Sequence, residues 1–132
     1  MNSASEFVAL RTSSAPSDCY RAAHESAPDE VWRDVVINHP EMAQWVAHNK
    51  TISTHMMEFI AQHGDVNARM MIAMKGKCPI HVLEMLAFDD HESVRNAVAL
   101  NRKSPLHILL ILANDEWETC ASNATRRIAM TK

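Results

Sequence analysis

The sequence predicts an all-α chain folded as a short right-handed α-solenoid of about four two-helix repeats, each of roughly 24–26 residues, plus a C-terminal closing half-repeat. Three observations carry this. Glycine occurs only twice, at Gly64 and Gly76, which excludes a Gly-rich phosphate loop, a dinucleotide fingerprint and a hairpin-rich β-sandwich. The pairs Ala22-Ala23, Val46-Ala47, Ile72-Ala73, Val98-Ala99 and Ala124-Thr125 form one evenly spaced ladder, whose first interval is slightly shorter than the rest. A second ladder, Val36-Ile37, Ile60-Ala61, Leu86-Ala87 and Leu112-Ala113, repeats the same rhythm, and Ala27, Ser53, Pro79 and Pro105 run in step with both.

Residues 1–16, rich in Ser and Ala, read as a flexible N-terminal arm, followed by a single repeat domain over 17–132. Each repeat holds two short helices, A and B. In the third, helix A covers Val66 to Met74, the turn is Lys75-Gly76-Lys77-Cys78, and helix B runs from Pro79 to about Ala87. Proline suits the first helical position because its missing N–H is not needed there, and Ser104 before Pro105 is placed to supply an N-cap oxygen. Ser53 or Thr51 would cap the second B helix. The B-helix core stripe comprises Trp32, Met56, Val82 and Ile108, then Val35, Phe59, Met85 and Ile111, then Val36, Ile60, Leu86 and Leu112. Helices this short are marginal alone in water, so stacking must stabilise them. The closing half-repeat spans Trp117 to Ala129.

The charge balance is 13 basic against 16 acidic side chains, which argues against a general polyanion binder. No apolar run approaches the ~20 residues of a membrane span, and the start lacks a signal-peptide pattern, so the sequence reads as cytoplasmic with no membrane partner. Cys19, Cys78 and Cys120 are far apart and form no Cys-x-x-Cys, so they read as packed thiols rather than ligands or a disulfide framework.

The fourth repeat, Asp90-x-x-x-Val94-Arg95-x-x-Val98-Ala99-x-Asn101-x-x-Ser104-Pro105-x-x-x-Leu109-x-x-Leu112-Ala113-x-Asp115, resembles the bacterial leucine-rich repeat variant family, and the likeness extends over Asp18 to Arg127. The resemblance implies an all-α superhelix related to HEAT and armadillo repeats, used as a binding scaffold without catalytic residues. Some such proteins carry a Cys-rich iron–sulfur segment before the repeats. Cys19 stands alone here, so no cluster or other cofactor is implied. The spacing of the later repeats exceeds the family's usual unit, whereas the first interval matches it.

Three of the eight histidines share one repeat position, His55, His81 and His107. Three residues further on stand Asp34, Glu58, Glu84 and Leu110, and on a helical wheel both positions lie opposite the core stripe. This exposed polar seam has three readings: a solvated face with weak i,i+3 pairs, a recognition stripe for a protein or peptide with basic groups, or a metal site. The last is poorly supplied, because one His-x-x-Glu gives two ligands and neighbouring helices stand ~8–10 Å apart. The candidate partner-binding residues are therefore Asp34, His55, Glu58, His81, Glu84 and His107. The A-to-B turns are basic and the B-to-A turns acidic, and Lys75, Lys77, Arg102 and Lys103 form an alternative phosphate-binding edge for nucleic acid. No aromatic residue is interleaved with them, so protein binding is the leading expectation. Arg69 and Arg95 are expected to reach acids of neighbouring turns. No asymmetric constellation or catalytic motif appears, and the expectation is a non-enzyme without a metal.

Overall fold

The computed structural model describes residues 1–130 and is all-helical there, with no strand among the described residues. The helices are α1 (Ala4–Thr12), α2 (Pro16–His24), α3 (Asp29–Asn38), α4 (Ala43–His48), α5 (Thr54–His63), α6 (Val66–Met74), α7 (Ile80–Leu86), α8 (Glu92–Leu100), α9 (Leu106–Leu112) and α10 (Glu118–Met130), with a 3₁₀ turn at Pro40–Met42 before α4. The interval along the chain from Val66 to Glu92 equals that from Met74 to Leu100, so α6 and α8 begin and end at one spacing, and α7 and α9 do the same. No described helix is long and apolar enough to cross a membrane.

The chain divides into two compact units, one from Met1 to Ile72 and one beginning at Ala73, where the sequence suggested one repeat domain. In the N-terminal unit α1 packs on α2 and α3, α2 on α4, and α3 on α4 and α5. In the C-terminal unit α8 packs on α7, α9 and α10, and α9 on α10. The small-residue ladder is what lets these helices approach. Val46, Ala47, Val98, Ala99 and Ala124 are all fully buried.

The expected N-terminal arm is instead a helix with its own core. Ser3 Oγ accepts the Glu6 amide at 3.1 Å while Glu6 Oε1 accepts the Asn2 amide at 2.9 Å, a capping arrangement that starts α1. Phe7, fully buried, meets Trp32 edge to face at 5.3 Å. An aromatic pair of this kind, not the polar composition around it, decides the state of the segment.

The turns depart from expectation by one residue. Pro79 and Pro105 are N-caps in extended backbone rather than first helical residues. Ser104 caps nothing: its hydroxyl donates to the Val98 carbonyl at 2.6 Å. Ser53 does cap α5, accepting the Met56 amide at 3.1 Å while donating to Asp29. Gly64 is required by space, since a Cβ there would stand 2.7 Å from the Ile60 carbonyl oxygen.

Candidate interaction face

Three B helices bury the same wheel positions, Met56, Met57 and Ile60 on α5, Val82, Leu83 and Leu86 on α7, Ile108, Leu109 and Leu112 on α9, whereas α3 buries Val31, Trp32, Val35 and Val36 and leaves Arg33 exposed. His55, His81 and His107 are consequently exposed, as are Asp34 and Glu84, while Glu58 is half-buried. Within the C-terminal unit the structure brings two of these together. His107 Nε2 of α9 lies 3.6 Å from Glu84 Oε1 of α7, with both side chains more than half exposed. Asp34 accepts the side-chain amide of Asn38 on its own helix. Among the described residues no group of three His, Cys, Asp or Glu side chains is arranged to hold a metal.

One core level is a correction. Val35 is buried, but Phe59 and Met85 are half-buried and Ile111 is 41% exposed. The position lies at the flank of the buried stripe, about 100° from its centre, so its cover depends on the neighbouring element rather than on the helix itself. With Leu106 and Leu110, each 51% exposed, Ile111 makes the outer side of α9 apolar where α7 presents Glu84.

The alternative basic edge is less uniform than its sequence. Lys77, Arg102 and Lys103 are exposed in their turns, whereas Lys75 is half-buried. Arg127, in the last turn of α10, is occupied: Nη1 donates to the carbonyls of Ala99 and Asn101, at 3.3 and 2.9 Å. Arg95 makes the expected pair, holding Asp115 at 2.7 Å and donating to the Asp89 carbonyl at 2.7 Å. Arg69 donates to the Gly64 carbonyl at 2.8 Å, a contact to the turn before its own helix, as Arg95 makes to Asp89.

Two networks carry roles that the sequence reading does not assign, although Asn101 stands in the fourth-repeat motif. Asn49, fully buried, donates to the carbonyls of Ala22 and Glu25 at 2.8 and 3.1 Å, and its oxygen accepts from Thr51. Asn101 does the same to Ala73 and Lys75 at 2.7 and 2.9 Å, and accepts the Lys103 amide. Each amide satisfies orphan carbonyls at the end of the previous A helix, which would otherwise be left unpaired against protein. A signal for this network exists, because Asn49, Lys75, Asn101 and Arg127 follow one another at the repeat interval. The second network, around Arg11 and Trp45, has no repeat signal at all.

The three cysteines are free thiols, with Cys78 and Cys120 buried and Cys19 half-buried. Burial pushes the Cys78 thiol up to about 12 and the Cys120 thiol to about 11. Of the three tryptophans, Trp32 is core, and Trp45 and Trp117 are half-buried. Comparison with family models, with curated proteins and with solved structures finds no match to this chain.

Proposed function

We propose that the chain is a short right-handed α-solenoid, similar to the bacterial leucine-rich repeat variant proteins, that acts as a non-enzymatic scaffold binding a protein or peptide with basic groups through the exposed face of its B helices. The observation that carries the reading is the Glu84–His107 contact, which joins the B helices α7 and α9 through an exposed polar pair. Asp34, His55, Glu58 and His81 occupy the same repeat positions. The solenoid itself is supported by the alternating packing of each unit, where α2 meets α4, α3 meets α5 and α8 meets α10, and by side chains that clamp the preceding repeat at Asn49, Asn101 and Arg127. Function in the cytoplasm suits three free thiols.

The test uses defined probes: fluorescein-labelled peptides rich in Lys and Leu, one patterned as an amphipathic helix and one as an extended strand. Binding to the native chain, weakened about tenfold or more by E58K/E84K, is the expected result. Equal affinity of the native and E58K/E84K proteins would overturn the assignment of the face.

A further inference from the structure

We infer that the cavity bounded by α1, α2 and α4 is a receptor site for a small carboxylic acid, with the Arg11 guanidinium as its anion-binding group. The cavity has a volume of about 170 Å³ and is lined by Arg11, Cys19, Ala22, Ala23, Trp45 and His48. All six belong to the N-terminal unit, and the inference does not depend on the B-helix face.

The guanidinium carbon of Arg11 stands 3.5 Å from the centroid of the Trp45 ring. Stacking on an indole face fixes a guanidinium in place while leaving its edge, where the N–H fork lies, open to a partner. Arg11 Nη1 points at Cys19 Sγ at 3.6 Å, a weak acceptor that takes little of the cation's charge. Nε and Nη2 have no partner among the described residues. Two other arginines hold carboxylates, with Glu25 at 2.8 Å from Arg21 and Asp115 at 2.7 Å from Arg95, and Arg127 is taken up by backbone carbonyls. Arg11 has none. Asp18, the acid nearest in sequence to the lining, is engaged with the Ser13 hydroxyl at 2.8 Å.

A half-buried guanidinium held rigid beside an open space with no acid in its lining is preorganised for an external oxyanion, because it neither reorganises nor sheds a competing partner on binding. The rest of the lining sets the ligand's body: Ala22 and Ala23 are small and apolar, and the Trp45 and His48 rings, tilted with centroids 6.0 Å apart, complete the wall. The volume falls below the ~300–1,000 Å³ of sites for drug-sized ligands, so it fits one small acid of about benzoate size.

The experiment follows the indole N–H signal of Trp45, assigned with W45F, in amide-correlation NMR spectra of the full chain while benzoate or benzamide is added. Benzoate should give a saturable shift in the millimolar range, with benzamide about tenfold weaker or more, since it has the same body without the charge. R11M should lose benzoate binding by about the same factor, and R11K, which keeps the charge without the planar fork, should fall between. Competition by a tripeptide with a free C-terminal Phe, set against its amide, distinguishes a chain terminus from a free acid as the source of the carboxylate. Equal binding of benzoate and benzamide, benzoate binding by R11M at the native affinity, or no saturable shift would each overturn the proposal. The first contrast needs no variant and so does not depend on how R11M folds.

Discussion

Arg95 of α8 holds Asp115, in the turn after α9, through two bonds: Nε to Oδ2 at 2.7 Å and Nη2 to Oδ1 at 3.3 Å. Both side chains are largely buried, 12% and 6% exposed, and the remaining Arg95 amine ties in the Asp89 carbonyl of the preceding turn. One arginine thus fixes the turns on both sides of the α8–α9 pair. Burial alone would raise the Asp115 carboxyl, but the bonds from Arg95 and from the Trp117 amide outweigh it and hold it below the ordinary carboxylate value.

R95A should therefore cost about 2–3 kcal/mol, because it leaves a largely buried carboxylate without its cation. The sign of the pH dependence follows from the lowered Asp115 value. The stabilisation is complete above the unfolded-state value near ~4 and is lost as pH falls through the folded value. Urea midpoints between pH 7 and pH 3 check this: the native chain should lose stability on acidification more steeply than D115N.

N101A should destabilise the C-terminal unit by about 2 kcal/mol or more, since the carbonyls of Ala73 and Lys75 and the amide of Lys103 all lose their partner. N101D should be worse than N101A, because a carboxylate can accept but cannot donate to two carbonyls. Thermal melts of the two variants test the order. A surface role for Asn101 would make both neutral.

F7A should cost about 3–5 kcal/mol through the space left against Trp32. A flexible arm would make the change silent, so a single melting curve separates the two descriptions of residues 1–16.

Thiol titration with a disulfide reagent on the folded protein at pH 8 should show one fast thiol, Cys19, and two slow ones. The raised values of Cys78 and Cys120, about 12 and about 11, leave little thiolate, and burial blocks access. Unfolding in denaturant should make all three equally fast.

Helix boundaries are legible in the sequence wherever the hydrophobic period is undisturbed. The pattern places α6 at about Val66 to Met74, where it lies, and gives α7 to within one residue at each end. The seam is legible for the same reason, because a position opposite three buried residues has nowhere to go but outward. The arm is misread because Phe7 finds its partner, Trp32, two helices further along the chain, and composition does not report that contact. Ser104 is misread because its hydroxyl has a choice between an amide ahead and a carbonyl behind, and the geometry of the turn selects the carbonyl. The Arg11–Trp45 stack occurs once and lies outside every ladder, so periodicity does not point to it.

The most direct test of the proposed binding face is backbone amide mapping by NMR with the better-binding Lys-Leu peptide. The account predicts that the largest shifts fall at His81, Glu84 and His107 and at their repeat positions His55 and Glu58, with the turn residues Lys77, Arg102 and Lys103 unmoved. Shifts concentrated in those basic turns, or spread evenly over the chain, would contradict it.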